Sequence, residues 1–156
     1  MNFKETNLKG FFEIDLKLFE DERGFFARVY DDKIFESHGF LKNWVQESIS
    51  FSKEKYTLRG LHFQRPPFSE AKLISVFRGE VFFVAVDLRK NSPTFKKWRK
   101  VVLSDKNKKM FFAGRGFAIG MCTLSDNCLL HYKMDNYYSP EYAGTIKWND
   151  SDLNIA

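Results

Sequence analysis

Lys72-Leu73-Ile74-Ser75-Val76-Phe77-Arg78-Gly79-Glu80-Val81-Phe82-Phe83-Val84-Ala85-Val86-Asp87-Leu88, residues 72–88, is the stretch on which the fold class turns. Two short apolar runs, Lys72–Phe77 and Glu80–Leu88, flank Arg78-Gly79, and a glycine between two such runs predicts a hairpin. The run from Val81 to Val86 is apolar at every position. Successive side chains of a strand point to opposite faces, so this strand must be buried on both sides. That is the pattern of a strand inside a double-layered barrel.

Working outward, the same grammar of short apolar runs and turn residues recurs. Phe11–Phe19 alternates loosely, Asp21–Gly24 is a turn, and Phe25–Tyr30 is a further strand. Asp31–Gly39 is the one helical stretch, with Asp31 or Asp32 to cap its start and Gly39 its end. Trp98–Leu103 is expected to pair with Met110–Ala113 across Ser104–Lys109. Met121–Leu124 and Leu129–Met134 follow, separated by the turn Ser125–Asn127. Many short strands with hardly any helix predict an all-β barrel or jelly roll. The length of 156 residues, without a repeat or linker, suits one domain over 1–156.

Composition narrows the function classes. The formal net charge of +5 favours an anionic partner. The basic residues are scattered apart from Lys96, Lys97, Arg99 and Lys100, then Lys106, Lys108 and Lys109. Those runs read as a solvated turn and strand face, with no clustered stacking platform for nucleic acid. Cys122 and Cys128 are too few for a disulfide scaffold and match no metal spacing. The N-terminus lacks a signal-peptide core and no apolar run reaches membrane-spanning length, so a cytoplasmic, non-membrane protein is expected.

Three histidines, His38, His62 and His131, limit the chemistry further. A metal centre in a barrel needs several His and a carboxylate on one ion, and His62 stands alone in its segment, so no metal and no cofactor are expected. Arg59-Gly60-Leu61-His62-Phe63-Gln64 is the densest polar cluster in an apolar setting. Alternation places Arg59, Leu61 and Phe63 on one face and His62 and Gln64 on the other. Lys72 opens the next strand and Tyr132 lies on a late one. Together His62, Lys72 and Tyr132 form a proton-transfer kit. A neutral imidazole can take a proton beside a ketone, an ammonium can stabilise the enolate oxygen, and a phenol can return a proton from the opposite side. Taken singly, each has an ordinary structural reading: a strand histidine, a solvated lysine, a wall tyrosine.

The stretches Asp-Glu-Arg-Gly-Phe-Phe (21–26), Leu-Arg-Gly-Leu-His-Phe-Gln (58–64), Val-Ala-Val-Asp-Leu-Arg-Lys-Asn-Ser-Pro-Thr-Phe (84–95), Gly-Phe-Ala (116–118), Tyr-Tyr-Ser-Pro (137–140) and Trp-Asn-Asp (148–150) occur in order. Together they resemble the dTDP-4-dehydrorhamnose 3,5-epimerase family over nearly the whole chain. The resemblance implies a cupin-like jelly-roll barrel, a homodimer with exchanged N-terminal strands, and no required metal. It implies a nucleotide-diphosphate sugar as substrate, dTDP-linked, epimerised at C3, C5 or both next to its 4-ketone. It further implies His62 as the base, Lys72 as the enolate stabiliser and Tyr132 as the opposing acid. Arg23, Phe26, Gln46, Arg59 and Tyr138 fall where the family contacts nucleotide, diphosphate or sugar.

The chain departs from the family pattern at several points. Ile119 stands where Gly-Phe-Ala-His-Gly has its histidine, Phe83 where an Asp is usual, Arg28 and Ala143 where Glu is usual, and Ser48 where Asn is usual. The family's Asp behind the catalytic imidazole belongs to a tail beyond the position of Ala156. Glu47, Glu70 and Asp150 are the acids that could take that post. These departures leave two further readings open, a keto-sugar isomerase and a sugar-nucleotide binder without catalysis.

Overall fold

The computed structural model describes residues 1–40 and 43–155. Strands dominate: β1 (Asn2–Glu5), β2 (Phe11–Asp15), β3 (Leu18–Asp21), β4 (Gly24–Ala27), β5 (Gln46–Ser52), β6 (Leu58–Gln64), β7 (Lys72–Arg78), β8 (Glu80–Asp87), β9 (Trp98–Ser104), β10 (Lys109–Ala113), β11 (Phe117–Thr123), β12 (Cys128–Met134) and β13 (Ala143–Thr145). The helix α1 spans Asp32–Ser37. Its cap is Asp31, whose carboxylate accepts the Ile34 N–H at 3.3 Å. Three sheets result: a six-stranded sheet in the order β1-β2-β10-β7-β12-β5, a five-stranded sheet in the order β13-β6-β11-β8-β9, and the separate pair β3-β4. The expected all-β, cupin-like jelly roll is therefore what the chain forms.

The pairing of neighbours differs from expectation. β7 and β8 are not a hairpin: β7 pairs with β10 and β12, while β8 pairs with β11 and β9. The turn at Gly79 carries the chain from one sheet to the other. Its polar groups are satisfied by neighbouring loops, not by a ladder: the Gly79 N–H reaches Asp105 Oδ2 at 2.8 Å and the Glu80 N–H reaches Ser125 Oγ at 3.0 Å. Gly79 has φ +82°, and a Cβ there would lie 2.7 Å from Cys128 Sγ. Trp98–Leu103 likewise does not pair with Met110–Ala113; β9 borders β8, and β10 lies between β2 and β7 in the other sheet. Residues 11–19 form two strands, because β2 follows β10 only as far as the Asp15–Lys109 pair and β3 then turns away to β4.

This crossing between sheets explains the apolar run at 81–86. Val81, Phe83 and Ala85 point into the core between the sheets, beside Ile74, Phe111, Ile119 and Leu130. Phe83 and Phe111 meet there edge to face, with ring centroids 5.1 Å apart. Val84 and Val86 point outward into a second apolar layer with Leu61, Ala118 and Leu153. The C-terminal stretch lies over that outer face through Ile146, Leu153 and Ile155. A third cluster packs Phe35 of α1 against Ile14, Phe40, Leu73, Met110 and Phe112.

Several of the basic residues are drawn into ion pairs on the surface: Arg99 with Glu13, Lys96 with Asp152 and Lys109 with Asp15. Among the described residues no helix is long and apolar enough to cross a membrane, and Cys122 and Cys128 are free thiols.

Candidate active site

Between the two large sheets lies a cavity of about 170 Å³ lined by Arg59, His62, Lys72, Ile74, Phe83, Ile119, Gly120, Met121 and Tyr132. The topology makes this meeting necessary. β7 and β12 are neighbours in the six-stranded sheet, with Ile74 opposite Tyr132, so Lys72, Ile74 and Tyr132 come from one wall. β6, β8 and β11 are neighbours in the five-stranded sheet, with His62 opposite Ile119, and they form the facing wall. The imidazole and the phenol thus enter one cavity from opposite sheets.

Arg59 also lines this cavity, which corrects its expected placement with Leu61 and Phe63. The β6–β11 register explains why. Ile119 pairs with His62 and Met121 with Arg59, so three steps along β6 oppose two along β11. The extra residue is a β-bulge, which moves Arg59 onto the face that His62 occupies. Gly60 sits at the bulge with φ +102°, and a Cβ there would lie 2.6 Å from the Ile119 carbonyl oxygen. Leu61 and Phe63 face the outer apolar layer.

Each polar group in the cavity has a defined surrounding. Tyr132 packs against the core. Burial raises its phenol above the ordinary value, while a hydrogen bond with Ser50 and the charge of Arg59 oppose that rise. Lys72 is held by Glu70 at 3.1 Å, and the Glu70 side chain is itself only 9% exposed. Arg59 donates through Nε to Ser52 Oγ at 3.3 Å and through a terminal nitrogen to the Phe51 carbonyl at 3.4 Å. His62 keeps one side open to solvent, and its Nδ1 lies 3.3 Å from Thr145 Oγ1. Burial, then the nearby charges of Lys72 and Arg59, push the imidazole below its ordinary value. A neutral imidazole beside an ammonium is the state a base requires.

The acids considered as partners for His62 are engaged elsewhere. Glu70 faces Lys72. Glu47 lies beyond β12, paired with Lys133 and His131. Asp150 accepts the Asp152 N–H in a C-terminal turn. The other two histidines also lie outside the cavity: His38 stacks on Phe3 and His131 on Phe77. Among the described residues no group of three or more His, Cys, Asp or Glu could hold a metal ion.

The remaining residues named from the sequence sit at different distances from this centre. Gln46 opens β5, and its Oε1 accepts the Tyr138 N–H at 2.7 Å. It is in register with Met134, which is in register with Lys72, so Gln46 and Tyr138 border the Lys72 end of the cavity without lining it. Arg23 and Phe26 lie on the β3–β4 pair and do not reach the cavity of their own chain. The Arg23 side chain is 84% exposed, and its guanidinium meets Asp21 at 2.6 Å. Phe26 is 60% exposed.

Two further side chains, Ser50 beside Tyr132 and Thr145 beside His62, were not named from the sequence. Ser50 belongs to the row Gln46, Ser48, Ser50, Ser52, which occupies alternate positions of β5; that period of two was a readable signal for an inward polar face. Thr145 carried no such signal, since only the pairing of β13 with β6 brings it to His62. A larger groove of about 490 Å³ runs along the outer sheet face past Leu58, Phe82, Leu124 and Trp148. Its lining is apolar apart from Arg59, Tyr56 and Cys122, so it offers no proton-transfer set.

A cupin-like barrel with a histidine and a tyrosine from facing sheets around one small cavity has the groups needed to move a proton at carbon, the chemistry of one class of isomerases. The family profile described as dTDP-4-dehydrorhamnose 3,5-epimerase matches residues 5–156. The chain belongs to that family. It is 45% identical over 153 residues to the dTDP-4-dehydrorhamnose 3,5-epimerase of Methanothermobacter thermautotrophicus, covering 98% of this chain and 82% of that protein. It is 44% identical to the enzyme of the same name from Shigella flexneri, covering 99% and 86%. The crystal structure of the Bacillus anthracis enzyme with TDP and PPi bound superposes with a TM-score of 0.96 at 43% identity, covering 99% of this chain and 88% of that one. The Legionella pneumophila enzyme in complex with dTDP-4-keto-L-rhamnose gives 0.93 at 41% identity, covering 99% and 81%.

Proposed function

We propose that this chain epimerises a dTDP-linked 4-keto-6-deoxy sugar at C3, C5 or both, in the cytoplasm and without a cofactor. The observation that carries the reading is the entry of His62 and Tyr132 into one cavity from opposite sheets. His62 takes the proton from the carbon beside the ketone. The electron pair of that C–H bond moves onto the carbonyl oxygen, where the Lys72 ammonium stabilises the enolate. Tyr132 then delivers its phenolic proton to the opposite face of the carbon, and exchange with solvent restores both groups. The sugar ring is assigned to the cavity of about 170 Å³, and the nucleotide to the outside of it, near Arg59, Gln46 and Tyr138. The relatives at 43% and 41% identity with TDP or a dTDP-keto sugar bound support the dTDP-linked ligand.

Tyr132→Phe separates the two proton transfers. Loss of substrate C–H label to solvent is expected to stay within about tenfold of wild type, while inverted product falls by about 10² or more, the scale of one general acid. Inverted product at the wild-type rate would remove Tyr132 from the mechanism.

The working unit is a homodimer that exchanges its N-terminal strands. β3 and β4 stand as an isolated pair with Phe19, Phe25 and Phe26 each more than half exposed, and such a ribbon is marginal unless it docks on something. A second copy that received it would gain Arg23 and Phe26 at its own cavity. Arg23→Ala is expected to raise KM about tenfold or more through loss of a charge-assisted hydrogen bond to diphosphate. Mixing Arg23→Ala with His62→Ala subunits should regenerate one intact site per heterodimer and restore activity. A monomer in light scattering, with no gain on mixing, would defeat the exchange.

A further inference from the structure

We infer that Glu70 is a positioning residue for Lys72, anchoring the ammonium at the cavity wall where the enolate oxygen forms. The inference rests on the reading of Lys72 as the enolate stabiliser. Glu70 Oε1 lies 3.1 Å from Lys72 Nζ, and the two side chains are only 9% and 17% exposed. They stand two residues apart where the chain enters β7, and in extended backbone such side chains share a face. Ala71 between them is 1% exposed. It is clamped from the end of β12: its N–H donates to Asp135 Oδ1 at 2.6 Å, and the Asp135 N–H donates to its carbonyl at 3.3 Å. The Asp135 carboxylate is held in turn by Arg115 Nε at 2.9 Å. The backbone that carries Glu70 and Lys72 is thus fixed between them, and the ion pair fixes the far end of the longer side chain.

The chemical consequence follows from the nature of a lysine. Its ammonium is a strongly hydrated point charge on a flexible stem, and without an anchor it turns toward water. An enolate is stabilised most where the charge already stands when the proton leaves carbon, because a preorganised group costs no reorganisation at that moment. An oxygen beside Nζ occupies one of three N–H donors and leaves the others for the substrate. Among the described residues no carboxylate lines the cavity itself, and Glu70 is the acid paired with this ammonium. The negative charge of Glu70 opposes the field of Lys72 at the enolate, so what Glu70 contributes is the place of Nζ. A neutral amide oxygen of the same reach should therefore serve nearly as well.

The test pairs Glu70→Ala, which removes the anchor, with Glu70→Gln, which keeps an oxygen at the same reach. In carbon-correlated NMR of the free wild-type protein the two Hε protons of Lys72 should be resolved, the signature of a side chain held in one geometry. They should merge in Glu70→Ala and stay resolved in Glu70→Gln. Glu70→Ala should lower kcat about tenfold or more with KM changed less than about twofold, the scale on which a misplaced catalytic group slows a reaction, whereas Glu70→Gln should stay within about threefold of wild type. In a Lys72→Ala background Glu70→Ala should cost nothing more, since a residue that acts through Lys72 has nothing left to position. Merged Hε protons in the wild type, a loss as large in Glu70→Gln as in Glu70→Ala, or a loss that persists in the Lys72→Ala background would overturn the inference. The Hε signature is read without substrate, so a failed Glu70 anchor is told apart from a protein that turns over no keto sugar.

Discussion

His62→Ala is expected to lower turnover of a dTDP-linked 4-keto-6-deoxy sugar by about 10³-fold or more and to abolish deuterium uptake from solvent at C3 and C5. The magnitude is that of removing the general base from a proton abstraction. Among the described residues no other group of the cavity is placed to substitute. Lys72 is held by Glu70, Tyr132 has its phenol raised by burial and so holds its proton, and Arg59 does not deprotonate at working pH. The pH dependence follows from the sign of the His62 shift. The ring acts when neutral, burial and then the charges of Lys72 and Arg59 disfavour its protonated form, and activity therefore survives to lower pH than for a free imidazole. The acid limb of kcat/KM should fall below about 6.5, the ordinary histidine value, and disappear with the residual activity of His62→Ala. Wild-type exchange in His62→Ala, with the barrel intact by circular dichroism, would take the base out of His62.

The sequence made some of this visible and hid the rest for physical reasons. Burial of Val81–Val86 on both faces could be read, because alternation assigns a face to every residue of a strand and each of these is apolar. Strand partnership could not be read. A two-residue link such as Arg78-Gly79 serves equally as a hairpin turn and as a corner between sheets, and what decides is whether loops elsewhere satisfy its polar groups, as Asp105 and Ser125 do. Ordered motifs pointed to His62, Lys72 and Tyr132, and the fold brings all three to one cavity. The phase of Arg59 was invisible because a bulge inserts one residue into the count without changing composition. The closeness of Thr145 to His62 was invisible because the two lie 83 residues apart and meet through strand pairing alone. The departures at Ile119 and Phe83 acquire a location: both line the cavity, whose wall is apolar apart from the four groups His62, Lys72, Tyr132 and Arg59. Such a wall leaves extra sugar hydroxyls unpartnered, which disfavours hydroxyl-rich sugars relative to deoxygenated ones.

Asp87→Ala is the substitution expected to cost the most stability. Asp87 ends β8 and is fully buried. Its carboxylate accepts from Arg89 Nε at 2.8 Å, from a terminal Arg89 nitrogen at 2.7 Å, from Ser92 Oγ at 2.5 Å and from Thr94 Oγ1 at 2.7 Å. Burial alone would raise this carboxyl; the hydrogen bonds from Arg89, Ser92 and Thr94 overcome burial and hold it far below the usual carboxylate range. The same Arg89 donates to the Lys9 carbonyl at 2.5 Å and lies over the Phe117 ring at 4.6 Å. One carboxylate thus ties the loop after β8 to the segment before β2 and to the start of β11, the strand that carries Ile119 and Met121 into the cavity. Removing it leaves Arg89 without its carboxylate and leaves Ser92 and Thr94, which also bond each other at 3.0 Å, without their shared acceptor, a loss of about 3 kcal/mol, which for a chain of this size lowers Tm by roughly 6–12 °C. Arg89 remains partly exposed and can be rehydrated, which keeps the cost at the lower end for a broken buried pair. A depressed folded-state value means that this stabilisation is complete above the unfolded-state value of about 3.9 and is lost as pH falls toward the folded-state one. The gap in denaturant midpoint between wild type and Asp87→Asn should therefore be widest near neutrality and narrow steadily below about pH 4. A gap that is absent at neutral pH, or that widens on acidification, would show that the carboxylate is not what holds these three segments together.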